Sequence, residues 1–381
     1  MKKISNKISY LLLTSCLFAV LTGCWDSSDI DELSIVMGMG IDKSENDEEP
    51  IKYTSQIASS ESNSDSSTVQ PAFQNVSLTG SAVHEIIRNL SLELANPIFA
   101  QHLKVLILNE SIAQEYKMSN LLNQVFRDNV SRMSPTVYVT SGEAQSILEV
   151  KGNEDIPSTH IEGIETNRAR TMGLVKSMRV GDVAAKLTSN SSFLLQNIDV
   201  IDGKIKMNGA GVIKGHEQKL IGFLNKEEVE GVNWVTGNGE GGLVKVFNEN
   251  KDVIIYELQS LHSTITPQWE NDTASFHVKI KSEGWISEDW TYPGNSFKEE
   301  KLEEVERLTE DKVKDLMEQA MNKAQQEYKT DVAEFSESFR IKYPKEWEKI
   351  KADWDQYFAQ ASITYDVEIK ISSGGAAGSK N

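Results

Sequence analysis

Apolar residues recur along this chain with two periods, and the change of period marks its elements. Leu33 to Ile41 (LSIVMGMGI) is a short apolar run ending at Asp42, the pattern of a buried strand. An acidic turn, Asp42 to Pro50, separates it from Ile51 to Ile57, which alternates and predicts a second strand. Ser59 to Ser67 is polar, has nothing to bury and reads as a mobile loop. The period then lengthens. Val83, Ile86, Ile87, Leu90 and Leu94 fall three and four apart, which predicts an amphipathic helix over Ser81 to Leu94. A buried strand, Leu103 to Leu108, precedes helical stretches at Ser111–Tyr116 and Ser119–Asn129. The strand Thr136 to Thr140 and a helix over Gly142 to Val150 complete an alternation typical of one α/β or α+β unit.

From Ser192 onward the period is mostly two. Phe193 to Val200 and Lys204 to Lys214 flank Asp202-Gly203, a strong hairpin turn, and Lys219 to Leu224 follows. Asn225-Lys-Glu-Glu228 places a capping residue before acids, the signature of a helix start. Leu243 to Phe247, Val253 to Leu261 and Thr273 to Trp285 read as further strands. Lys298 to Lys329 then keeps Thr309, Val313, Leu316, Ala320 and Ala324 on one helical face, Pro344 breaks the run, and Trp347, Ile350, Trp354 and Phe358 resume it. Ser362 to Ile371 alternates strictly and predicts a closing strand before a Gly/Ala/Ser-rich tail expected to be disordered.

These elements predict an α+β fold of three domains, with mixed or antiparallel sheets flanked by helices and a helix-rich C-terminal domain. The expected boundaries are 1–23 for a signal peptide, 24–190 for a membrane-proximal N-terminal α+β domain, 191–268 for a β-rich middle domain, 269–372 for a C-terminal domain with long helices, and 373–381 for the tail.

The first residues change the picture. Lys2, Lys3 and Lys7 precede an apolar stretch from Ile8 to Val20, the layout of a secretory signal and too short for a spanning helix of about 20 apolar residues. It ends in Leu21-Thr22-Gly23-Cys24, which resembles a bacterial lipobox. Such a signal implies cleavage between Gly23 and Cys24 and an S-diacylglyceryl, N-acyl Cys24. The chain's other cysteine, Cys16, leaves with the signal, so no disulfide, thiol nucleophile or thiolate metal site is expected in the mature part. Trp25 fits the headgroup level or a solvated connection equally well, and the short segment to Glu32 holds the first domain near the bilayer.

The 381 residues carry a net charge of −18, and removal of the three signal lysines takes the mature part to −21. That charge excludes a nucleic-acid-binding surface as the basis of function and leaves membrane attachment to acyl chains. Chemistry-bearing motifs are sparse. Gly237-Asn-Gly-Glu-Gly-Gly242 fits G-x-G-x-x-G, but a helix precedes it and strands follow, the reverse of a dinucleotide site. His84, His102, His160, His216, His262 and His277 lack metal-ligand spacing, and His102 is expected to hold a hydrogen-bonded structural place. No nucleophile elbow or P-loop occurs. Neither a catalytic residue nor a cofactor is expected, no ligand-binding residue is assigned, and the C-terminal aromatics read as core.

Taken in order, several segments resemble one family. Leu21-Thr-Gly-Cys-Trp-Asp26, Leu33-Ser-Ile-Val36 and Gly40-Ile-Asp42 are similar to the mature start of spore-germination C-subunit lipoproteins. Phe99-Ala-Gln-His102, Phe126-Arg-Asp128, Gly209-Ala-Gly-Val212, Leu220-Ile-Gly-Phe-Leu224, Tyr343-Pro344 and Trp347 continue the likeness across nearly the whole mature chain. The resemblance implies a lipid-anchored, non-catalytic subunit of a nutrient germinant receptor. It would work with integral membrane A- and B-type subunits, on the outer face of the cell membrane and at the inner membrane of the spore. The alternative is an extracytoplasmic solute-binding lipoprotein of a transporter, a class with two similar α/β lobes around a cleft.

Overall fold

The structure, a computed structural model, describes residues 32–59, 71–127, 132–151, 156–291 and 299–373. The signal, Gly23, Cys24, Trp25, the loop after Ser59 and the tail after Ser373 lie outside the described residues.

The strands sort into two sheets. The first contains β1 (Ser34–Lys43), β2 (Ile51–Ala58), β3 (Phe73–Gly80), β4 (Ile98–Phe99), β5 (Val105–Asn109), β6 (Thr136–Thr140), β7 (Phe193–Ile201), β8 (Lys204–Lys214) and β9 (Lys219–Leu224). Their order is β3-β2-β1-β5-β6-β7-β8-β9, with β4 beside the start of β1. The central pairs β1–β5, β5–β6 and β6–β7 are parallel and the outer pairs antiparallel. Parallel strands are covered on both faces. Leu106 and Leu108 of β5 face one core with α1 (Val83–Leu90), α2 (Glu110–Glu115), α3 (Met118–Leu121), α4 (Asn123–Arg127) and α7 (Val180–Thr188). Val105 and Ile107 face a second core with α5 (Ala144–Leu148) and α6 (Pro157–Glu165).

The second sheet has the order β10-β11-β12-β13, built from β10 (Gly242–Phe247), β11 (Val253–Glu270), β12 (Thr273–Asp289) and β13 (Ser362–Ser373). β13 runs parallel to β12 and the other pairs are antiparallel. One face is covered by α8 (Lys226–Thr236), α9 (Glu299–Asn322), α10 (Phe335–Lys342), α11 (Pro344–Ile350) and α12 (Trp354–Gln360). The fold is α+β, with two sheets flanked by helices and a helix-rich C-terminal region.

Most expected elements are present, and the differences have causes. The stretch 191–268 does not form a sheet of its own. β7–β9 continue the first sheet through Val139 beside Asn197, whereas β10 and β11 belong to the second. Alternation shows which face a strand buries but not which neighbour it pairs with. The helix expected from Lys298 ends as a π-helical turn, Lys323–Tyr328, and the helical run around Pro344 is divided into α10, α11 and α12. The proline, with no N–H to give, starts α11 instead of continuing α10. The aromatic positions do form a core: Phe276 packs edge-on against Phe335 at 4.8 Å, and Trp354 lies 5.2 Å from both Phe339 and Trp347.

Candidate functional site

Two predicted local signals bracket β8 and β9, the last two strands of the first sheet. Asp202 and Gly203 both take positive φ, 54° and 71°, as the two-residue turn requires. Asn225 caps α8 by accepting the Glu228 N–H at 3.0 Å, and Glu228 returns the bond to the Asn225 N–H at 2.7 Å. The helix ends at Gly237 in the left-handed region.

The glycine-rich segment after α8 has a structural explanation. A Cβ at Gly241 would stand 2.0 Å from the Ala169 carbonyl oxygen, and one at Gly239 would meet the Met172 sulfur at 2.2 Å. The segment 237–242 therefore presses its bare backbone onto residues 169–172, and Arg168 secures the junction by donating to the Asn238 carbonyl at 2.5 Å and pairing with Glu240 at 3.1 Å. The Asn233 side-chain amide also donates to the Met172 and Leu174 carbonyls at 2.7 and 2.8 Å. Close packing of two backbones accounts for these glycines, not a nucleotide.

On another side of the junction the two halves part to form a cleft of about 950 Å³. One wall carries Asp182 and Lys186 of α7, the turn Ser189–Ser192 and His216; the other carries Asp331, Glu334, Arg340 and Asp355. The second wall is shaped by the loop after the π-helical turn, where Lys329 and Glu334 both hold positive φ, 48° and 62°. For non-glycine residues this is a strained conformation that persists only where its surroundings fix it. Asp331 does so. Its Oδ1 accepts the Ala333 and Phe335 N–H groups at 3.2 and 3.1 Å, and its Oδ2 accepts the Ser336 N–H at 2.7 Å and Trp354 Nε1–H at 3.0 Å. The carboxylate thereby caps α10 and ties it to α12. Lys186 reaches across the cleft to Glu334 at 2.9 Å.

Asp355 is different. Burial pushes its carboxyl above the ordinary value, the nearby Asp331 charge adds to this, and Lys214, 4.0 Å away, opposes it. Chemically the cleft is a junction of paired charges. Asp331 has its oxygens filled by donors, Arg340 is held by Glu337 at 3.0 Å, and Lys351 by Glu348 at 2.6 Å. Among the described residues no group of three His, Cys, Asp or Glu is placed to hold a metal ion.

The histidines are scattered. His84, His102, His160, His216 and His262 are exposed and His277 is half-buried. His102 does not occupy a buried hydrogen-bonded place; its ring meets Phe99 at 5.8 Å. Gly23 and Cys24, the lipidation and cleavage residues expected from sequence, lie outside the described residues. Asp331, Glu334 and Asp355 carried no local sequence signal, because their partners are brought together only by the fold.

Both halves match families. Residues 26–200 match the spore germination protein N-terminal domain, and residues 208–375 match the family described as spore germination B3/GerAC like, C-terminal. Spore germination protein YndF of Bacillus subtilis (strain 168) is 32% identical over 98% of this chain and 98% of its own length. The chain belongs to the GerAC family of spore germination proteins. Two other family members from the same organism cover it almost end to end. Spore germination protein B3 is 30% identical over 99% of this chain and 100% of its own, and spore germination protein A3 is 32% identical over 98% and 99%. The crystal structure of the GerBC protein is similar, with a TM-score of 0.64 at 27% identity, covering 91% of this chain and all of that one. The α+β architecture is thus similar to that of GerBC.

Proposed function

We propose that this chain is the lipid-anchored, non-catalytic C-type subunit of a nutrient germinant receptor. It is held by Cys24 on the outer face of the cell membrane and, in the spore, at the inner membrane, beside integral membrane subunits of A and B type. The observation that carries this reading is the likeness to germination proteins A3 and B3 over essentially the whole chain. Three further observations support it. The sequence Leu21-Thr22-Gly23-Cys24 supplies an acyl acceptor. The polar groups of the cleft are largely committed to one another, in line with a subunit that assembles instead of reacting. The two halves also have different strand orders, unlike the paired lobes of a solute-binding protein.

Spores deleted for this gene, in a strain without paralogues, should lose the response to the receptor's nutrient, and Cys24→Ala should abolish lipid modification of the mature N-terminal peptide, read by mass spectrometry. Normal germination of the deletion strain, or an unmodified Cys24 in the wild type, would overturn the reading.

A further inference from the structure

The two edges of the second sheet are treated differently. Along β13, Glu306 accepts the Ile371 N–H at 2.7 Å and Glu310 accepts the Ile369 N–H at 3.1 Å, both carboxylates reaching over from α9. Two amide groups near the end of this edge that could recruit another strand are filled from within. β10, at the opposite edge, pairs only with β11 among the described residues. Its outward side chains are Leu243, 57% exposed, Phe247, 50% exposed, and a single lysine, Lys245. Phe247 stands opposite Val253, and the Trp290 N–H donates to the Val253 carbonyl at 2.9 Å. Phe247, Val253 and Trp290 therefore form a row from β10 across β11 to the residue that follows β12, with Trp290 64% exposed. Of the seven large apolar side chains exposed among the described residues, two belong to this row and a third, Leu243, lies further along the same strand. Scattered exposed apolar residues need no explanation, but a cluster on an unguarded strand edge does.

We propose that β10 and the Phe247–Val253–Trp290 row form a docking site for an extended segment of a partner protein. The segment would add as a fifth strand, with alternate apolar residues and flanking Lys or Arg. Strand addition draws affinity from main-chain hydrogen bonds and specificity from alternate side chains. The basic character follows from the surroundings: Glu257 stands opposite Leu243, Glu288 opposite Ile255, and Glu249 and Asp252 lie in the adjoining turn, against Lys245 and Lys251. The same acids repel an anionic bilayer, and a second copy of a chain carrying −18 would meet its own charge. An apolar patch of this kind covers on the order of 300–600 Å², whereas each partner of a stable complex buries roughly 600–1,000 Å². A contact this small suits a partner already held in the same assembly, where tethering raises its effective concentration. The inference therefore rests on the proposed membership of a membrane-held complex.

The test uses the full-length chain in spores, with a photo-crosslinking residue placed at Leu243, at Phe247 or, as a control, at Thr364 on the outer face of β13. Positions 243 and 247 should crosslink to one extended, basic stretch of a different membrane protein, with about tenfold less product from the control. Crosslinks confined to a second copy or to lipid, or no difference from the control, would overturn the proposal. In parallel, Leu243→Ser with Phe247→Ser should leave the thermal midpoint unchanged while recovery of that protein with the chain falls about tenfold, as for the loss of anchoring side chains. Full recovery with the double variant defeats the docking site alone. A wild-type chain that recovers no membrane protein defeats the proposed function as well.

Discussion

Asp331 and Asp355 face the same cleft and meet opposite treatment. Four donors surround the Asp331 carboxylate, so its burial is compensated and it fixes the strained turn at Glu334. Asp355 has Lys214 at 4.0 Å, a backbone hydrogen bond at Asp331 and His216 set against its burial, and burial prevails. The folded chain accordingly holds the Asp355 proton more tightly than the unfolded chain, whose carboxyl titrates near 3.8. Stability contributed by this group is lost as pH rises from 3.8 through the raised folded value. Asp355→Asn cannot ionise. It should flatten that part of the stability curve and leave the chain at least as stable as wild type at neutral pH, measured by urea midpoints across a pH series. A variant clearly weaker at neutral pH would show that the Lys214 pair outweighs the burial. No sequence spacing announced either aspartate, because their partners lie in other elements.

Elements with one strong local rule were legible, and elements without one were not. Asn225 with Glu228 announced α8, and Asp202-Gly203 announced the β7–β8 turn. β3 (FQNVSLTG) gave no signal, since its side chains are mostly half-buried at a sheet edge and its sequence has no sharp alternation. β11 extends to Glu270, well past the expected Leu261, because a bulge between Leu258 and Ser260 resets the alternation and the strand beyond it is mostly half-buried or exposed. The acids of α9 read as a solvated helix face, yet Glu306 and Glu310 close the edge of β13. Glu306→Ala with Glu310→Ala should speed amide hydrogen exchange at Ile369 and Ile371 and cost about 1 kcal/mol for each lost bond, discounted for partial exposure. The corresponding glutamines keep an acceptor oxygen and should restore most of the protection. Unchanged exchange in the alanine pair would mean that water serves these amides equally well.

In the whole molecule, the two halves are joined by backbone contact as much as by side chains. Gly241 lies where a Cβ would strike the Ala169 carbonyl at 2.0 Å. A peptide oxygen cannot swing aside as a flexible side chain can. Gly241→Ala should therefore cost about 1–3 kcal/mol and open the joint to limited proteolysis, read by the thermal midpoint and by cleavage between residues 225 and 242. A variant as stable and as protease-resistant as wild type would contradict the close fit. The joint was visible in sequence only as a cluster of glycines. Its role required knowing what lay opposite, as did the division of 191–268 between two sheets.

The parallel pairing of β12 with β13 also sets an order of events. Residues 290–361 lie between the two strands, so a chain emerging from its amino end displays the β11–β12 hairpin long before β13 exists to cover it. Until then the aromatic surface of Trp269 and Phe276 has no α10 or α12 to receive it, and Glu306 and Glu310 have no amides to meet. Pairings between distant segments form slowly and leave sticky edges open in the meantime. The C-terminal half thus commits late and all at once. Its maturation is timed by the arrival of its last strand.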